Sequence, residues 1–159
     1  MPRGHAEGED TAAVVAPPPL IYLAGLVVGL VLSAAVPAPF LARGAVSMIG
    51  AVLIAAALSL ALWGARTMRR AGTSVRPDVP TTALVTTGPF GLSRNPLYAS
   101  LTLLYAGIAI AARSLWALLL LIVVLAVMRR GVIGREERYL ERKFGADYLQ
   151  YKARVRRWF

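Results

Sequence analysis

Three regions of the chain are apolar and almost free of charge, and the charged residues crowd into the segments between and after them. The first region, Leu20 to Val36, is just long enough to cross a hydrocarbon core of ~30 Å at ~1.5 Å per helical residue. Pro37 and Pro39 end it. The second, Ala45 to Trp63, is uncharged throughout, and its small residues (Gly50, Ala51, Ala55, Ala56, Ala57, Ser59) suit close helix packing in lipid. The third, Leu97 to Met128, is interrupted only at Arg113-Ser114. One helix of that length would overshoot the membrane by roughly half. The pattern therefore predicts an antiparallel hairpin with arms 97–112 and 115–128, both short enough to need flanking residues or a thinned bilayer.

What lies between and after these regions is polar but patterned. Residues 1–19 carry Gly, Ala, acidic residues and Pro17-Pro18-Pro19 without apolar periodicity, and they read as a flexible tail before a single membrane domain, 20–159. Acidic residues stand where a signal peptide would be basic. The connection 66–96 is too long for an idle loop. Its second half contains the β-branched and apolar stretch Thr81 to Val85, the turn signal Gly88-Pro89-Phe90-Gly91, and Arg94-Asn95-Pro96, with Pro96 at the first turn of the next span. The segment 132–159 predicts two short amphipathic helices broken at Gly145, the second capped by Asp147 and both lying along the membrane surface. The fold class is thus all-α integral membrane, with about four transmembrane helices and a C-terminal amphipathic helical segment.

Composition agrees: 57% of the 159 residues are hydrophobic and the mean hydropathy is +0.60. With 18 Lys and Arg against 8 Asp and Glu the chain is strongly basic. Because these cations sit beside apolar spans, anionic lipid headgroups account for them and no nucleic-acid partner is expected. Their distribution sets an orientation: five lie in 66–96 and ten in 129–157, which places both termini and the 66–96 connection in the cytoplasm, across an inner membrane. The absence of cysteine, with His5 confined to the tail, removes thiol nucleophiles, zinc sites and histidine catalysis.

Two groups then stand out as chemistry. At the Asn95-Pro96 junction the unpaired N–H groups of a helix N-terminus can receive a carboxylate or a hydroxyl-rich ligand. Equally, Asn95 can simply cap the span while Arg94 snorkels to headgroups. Glu136 and Glu137 flank the apolar stripe of Ile133, Leu140 and Phe144, and neither has a basic residue three or four positions away. An inward carboxylate needs a partner, either a loop arginine such as Arg94 or a ligand bearing hydroxyls or positive charge.

Gly88-Pro89-Phe90, Arg94 to Tyr98, a span pair, Glu136-Glu137, Leu140, Phe144-Gly145 and Tyr148 to Tyr151 follow one another at spacings that resemble the isoprenylcysteine carboxyl methyltransferase family, with its bacterial relatives and the related phospholipid methyltransferases. The resemblance covers roughly residues 66–158. It implies S-adenosylmethionine as cofactor, held by Thr82, Ala83, Leu84, Val85, Phe90, Arg94, Asn95, Pro96, Leu97, Tyr98 and Glu136. The implied acceptor is a lipid-like or prenylated small molecule, with carboxyl O-methylation as the leading reaction. Where many members have Arg-His-Pro this chain has Arg94-Asn95-Pro96. Where eukaryotic members use an arginine for the prenylcysteine carboxylate it has Val132, leaving Arg129 and Arg130 as the nearby substrate-binding candidates.

Methyl transfer from a sulfonium is an in-line displacement, so alignment and exclusion of water are the protein's main tasks. An ionised carboxylate acceptor needs no base, whereas an amine does, and Tyr98 and Glu137 are then the candidate catalytic groups. Three rivals remain: a phospholipid N-methyltransferase, a non-catalytic membrane subunit with the same fold, and a relative of the sterol reductases. The orientation is directly testable. In a chain without native cysteine, Arg76→Cys should resist an impermeant thiol reagent in intact cells while Arg113→Cys reacts; labelling of position 76 from outside would reverse the topology.

Overall fold

The computed structural model describes residues 14–38, 43–76 and 79–158. Residues 1–13, with Arg3 and His5, and Pro39 lie outside that range. Helix α1 spans Pro18–Ala35, α2 Arg43–Arg70, α3 Pro96–Ala111, α4 Leu115–Val127, α5 Gly134–Phe144 and α6 Ala146–Arg154, and a single 3₁₀ turn, Gly88–Gly91, lies in the long connection. No strand occurs among the described residues, and the β-branched stretch Thr81 to Val85 is coil with a bend at Ala83.

Helices α2 and α3 pack along their length, as do α1 and α4, and α3 also touches α1 and α4. Close approach depends on small residues. A Cβ on Gly50 would stand 2.8 Å from both the Ala111 Cβ and the Gly107 carbonyl oxygen. At the opposite end of α1 from Pro18, Ser33 and Ser114 share a 2.5 Å hydroxyl contact and Trp116 Nε1 donates to the Val36 carbonyl. The core between α1, α3 and α4 is built on Tyr22, Tyr105, Ala109, Ala117, Val124, Met128 and Val132. Outward faces stay apolar: Leu23, Val27 and Val31 of α1, Ile49 and Val52 of α2, and Ile122 and Val123 of α4 are all exposed. A bundle this apolar on the outside is solvated by lipid.

Three helices are long and apolar enough to cross a membrane, and α3, with 16 residues, is a shorter apolar helix of ~24 Å. The turn of the expected hairpin is at Arg113, whose φ of 55° is left-handed, and Ser114 caps α4 by accepting from the Ala117 N–H. Other boundaries differ from the sequence expectation. Residues Pro18 and Pro19 belong to α1, where Pro is compatible with the first turn, and Val14 packs against the core while the Val15 N–H reaches the Gly131 carbonyl. The proximal tail is therefore anchored. Helix α2 continues past Trp63 to Arg70 because arginine and methionine are good helix formers and nothing breaks the run before Gly72.

The largest difference follows α4. Met128–Ile133 forms a π-helical segment that hands the chain directly to α5, so Leu115–Phe144 is one continuous helix of 30 residues. The expected surface helix beginning at Val132 is instead the extension of the last span, because no proline or left-handed residue intervenes. A break does occur at Gly145, with φ of 51°, a region open chiefly to glycine. Asp147 sits inside the first turn of α6 and supplies no cap bond. Packing through Gly50 gives a test. Gly50→Val should lower stability by about 1–3 kcal/mol through overpacking, read as thermal unfolding in detergent. Ala51→Val, on the exposed side, should change it little.

Candidate functional site

The arginine-rich end of the bundle, where α2 stops and α3 begins, carries an open cleft of about 860 Å³, mouth included. Its walls come from distant parts of the sequence. The coil before α3 supplies Thr81, Ala83, Leu84, Val85 and Phe90, the start of α3 supplies Asn95, Pro96, Leu97 and Tyr98, and α5 and α6 supply Glu136, Glu137, Tyr139, Leu140, Tyr148 and Tyr151. The coil is held in place by tyrosines. Tyr139 accepts from the Thr81 N–H at 3.3 Å, and the Tyr151 hydroxyl donates to the Phe90 carbonyl at 2.7 Å.

Glu137 is buried and holds two arginines. Arg157 donates to it twice, from Nε at 2.9 Å and Nη2 at 2.5 Å, and Arg94 Nη1 lies 3.1 Å from its Oε1. Arg94 Nε and Nη1 are both buried and lack an aligned acceptor. Two guanidiniums thus share one carboxylate, and part of the donor capacity of Arg94 is unspent beside the cleft. Breaking such a buried pair by removing its anion costs ~3–5 kcal/mol, somewhat less here because Arg157 is partly exposed.

Glu136 is a different carboxylate. It is partly exposed, lines the cleft, and accepts a 2.5 Å bond from the Tyr98 hydroxyl. Tyr98 in turn is fixed through its carbonyl, which accepts from Thr102 at 2.9 Å and more distantly from the Tyr22 hydroxyl. The apolar part of the last long helix ends at Met128, and Glu136 lies two turns beyond it. Burial pushes its carboxyl up to about 7, against the hydrogen bond from Tyr98, and Glu137 beside it adds to the rise. In α6, burial also raises the Tyr148 phenol to about 12, while the Arg94 cation pulls the other way.

Of the residues singled out in the sequence, Ala83, Leu84, Val85, Phe90, Arg94, Asn95, Pro96, Leu97, Tyr98, Glu136 and Glu137 all line this one cleft. Thr82 does not. It is exposed, its hydroxyl donates to the Gly72 carbonyl, and its N–H donates to Thr73 Oγ1, so it closes the loop on itself. Asn95 occupies the N-cap position of α3 without making the cap bond, and its amide donates instead to the Arg157 carbonyl. Arg129 and Arg130 lie elsewhere, exposed on the π segment, where with Thr102, Leu125, Ala126 and Trp158 they line a second groove. Sequence reasoning missed Tyr139 and Arg157. Tyr139 is three residues from Glu136 and so shares its helix face, whereas nothing in the pattern around Arg157 marked it.

A bundle of apolar helices that gathers a polar, carboxylate-bearing cleft at one end defines a membrane protein with a candidate ligand site. A family model for phospholipid methyltransferases matches residues 46–147, and the chain belongs to that family. It is also 40% identical over 62 residues to an uncharacterized protein of Haemophilus influenzae, covering 39% of this chain and 98% of that one. No solved structure matches it significantly.

The raised carboxyl of Glu136 has a measurable consequence. Its proton is held more tightly in the folded chain than in the unfolded one, so its charge costs stability fully above about pH 7, and the cost fades as pH falls toward the ordinary carboxylate value of 4.5. A tenfold difference in proton affinity between the two states is worth ~1.4 kcal/mol. Glu136→Gln should therefore melt higher than the wild type at pH 8, by on the order of 2 kcal/mol, with the advantage shrinking by pH 5. An equal difference at both pH values would mean that Glu136 does not titrate in this range.

Proposed function

We propose that the chain is an S-adenosylmethionine-dependent methyltransferase whose acceptor is a membrane lipid, working at the cytoplasmic side of an inner membrane. The observation that carries this reading is the pairing of opposite charges in one cleft: Glu136, oriented by Tyr98, and Arg94, with buried N–H groups lacking aligned acceptors. That donor set suits a ligand that is both cationic and anionic and bears hydroxyls. The apolar wall of Ala83 to Val85 and Phe90 suits its flat heterocycle. Membership of a methyltransferase family supports the same conclusion.

When bound, the cofactor supplies an electrophilic methyl group. The chain's own residues then have three tasks. Glu136 accepts hydrogen bonds from ribose hydroxyls or an ammonium, Arg94 receives a carboxylate, and the tyrosine-held coil keeps water out. Alignment of this kind can contribute ~7–11 kcal/mol to the barrier. The groove lined by Arg129, Arg130 and Trp158 suits the anionic part of the acceptor, whose apolar chain can lie along the exposed face of α4.

Two acceptor chemistries compete. Carboxyl O-methylation needs no base and a cation near the carboxylate, which Arg129 or Arg130 can provide. Val132, fully buried and apolar, offers none, so a free prenylcysteine is expected to be a poor substrate. Phospholipid N-methylation is favoured by the family match and by the Tyr98–Glu136 contact, which can take up the proton an amine must lose. Glu137 is the weaker base candidate, because both its oxygens are engaged by Arg157 and one also by Arg94.

One experiment tests the function and separates the acceptors. Membranes containing the chain are incubated with cofactor labelled in its methyl group, and the extracted lipids are treated with alkali. Label should enter the lipid fraction; release as methanol identifies a carboxyl ester, and retention identifies a methylamine. In parallel, Glu136→Gln should weaken cofactor binding by about tenfold to a hundredfold, since a charged hydrogen bond is worth ~1.5–3 kcal/mol. Glu141→Ala should do little, because Glu141 pairs with Lys152 at the surface. Unlabelled lipids together with unchanged affinity in Glu136→Gln would overturn the proposal.

A further inference from the structure

The segment after α6 makes a set of contacts that the proposed chemistry does not use. Three consecutive residues before α3 spend donors on two consecutive carbonyls of this segment. The Arg94 N–H donates to the Arg156 carbonyl at 2.9 Å, while the Ser93 hydroxyl, at 3.2 Å, and the Asn95 amide, at 3.0 Å, both donate to the Arg157 carbonyl. Ser93 also accepts from the Asn95 N–H at 3.2 Å, so the turn is braced internally. Ser93 is fully buried and Asn95 nearly so, and the side-chain bonds to the Arg157 carbonyl are partly buried. The Arg157 side chain then reaches Glu137, a residue of the cleft wall, and its neighbour Trp158 lines the second groove.

We propose that residues 155–158 form a strap that fixes the cleft in its ligand-binding arrangement, and that Asn95 and Arg157 are positioning residues acting through it. Arg94 is the residue positioned. Its two neighbours are tied to the strap by their side chains, it is tied by its own backbone, and its guanidinium shares Glu137 with the strap's arginine. Release of the strap would remove four polar contacts at once and leave Arg94 and Glu137 free to leave the wall of the cleft. Asn95 thus acts on the cleft by way of the strap, through its side-chain amide. Its amide holds the carbonyl of Arg157 where a helix-capping asparagine would have bonded its own helix.

Linkage makes this measurable: a ligand that binds only while the strap is attached slows detachment by the factor 1 + [L]/Kd. The proposal rests on the cofactor reading above, and S-adenosylmethionine or its demethylated product serves as the probe. Trypsin cuts at Arg156 and Arg157 only when the strap comes away, and the shortened chain is read by intact mass. With the full chain in detergent, cleavage should slow about tenfold at ten times Kd. Asn95→Asp replaces the donor with an oxygen facing the Arg157 carbonyl. It should speed cleavage without ligand and weaken cofactor binding by about tenfold. Asn95→His, which restores a ring N–H donor, should recover much of both.

A chain ending at Val155 provides a second variant if Asn95→Asp does not fold, and it should lose affinity to a similar extent. Two results overturn the strap alone: cofactor binding to the wild type with no change in cleavage rate, or full affinity in the shortened chain. Failure of the wild type to bind the cofactor at all overturns the cofactor reading and the strap's part in it together.

Discussion

Glu137 carries a negative charge into a place that water hardly reaches, and the arrangement around it depends on what it finds there. An isolated buried carboxylate would be prohibitively costly or would take up a proton. Here it meets two guanidiniums, one from the turn that starts α3 and one from the segment after α6. Three pieces of chain far apart in sequence are thereby tied to one point. Because two cations share one anion, the cluster retains positive charge, and Arg94 keeps donors to spare. The same contact that assembles the wall leaves it receptive to an anionic group.

Next to it, Glu136 shows how one turn of helix divides two identical side chains between different tasks. Its neighbour faces inward to the arginines; Glu136 turns toward the cleft and meets only a phenol among the described contacts. A hydroxyl relieves burial far less than a guanidinium does, so its carboxyl rises where an ion pair would have lowered it. In the proposed reading that loss of stability is held where the cofactor binds, the pattern expected where binding rather than folding has set the residue.

Much of this was legible in the sequence because membrane physics writes in long runs. The three apolar regions, the turn at Arg113-Ser114, the break at Gly145 and the inward pair Glu136-Glu137 all follow from hydrophobic period and backbone chemistry, and eleven of the residues singled out line one cleft. What escaped has a common cause. The π segment 128–133 resets the helical phase with no proline and no left-handed residue, so the change from apolar to charged looked like a new helix rather than the continuation of α4. Likewise Thr82 turns away and Asn95 turns to Arg157 through bonds to backbone carbonyls, which every residue possesses and no sequence pattern marks.

The continuity of α4 with α5 also sets where the chemistry can happen. Along one continuous helix, Met128 marks the end of the apolar face, Arg129 and Arg130 follow at once, and Glu136 stands about 9 Å beyond Arg130. In the proposed reading a lipid headgroup caught at the arginines is therefore within roughly two helical turns of the cleft, without leaving the interface. Tyr98 and Thr102, one turn apart on α3, repeat that geometry on the facing helix, the first in the cleft and the second in the groove. After α6, Arg157 bonds to Glu137 of the cleft wall and Trp158 lines the groove. In that same proposed reading, an acceptor carried from the groove toward the cleft approaches the Tyr98–Glu136 contact, and that hydrogen bond would have to adjust as it arrives.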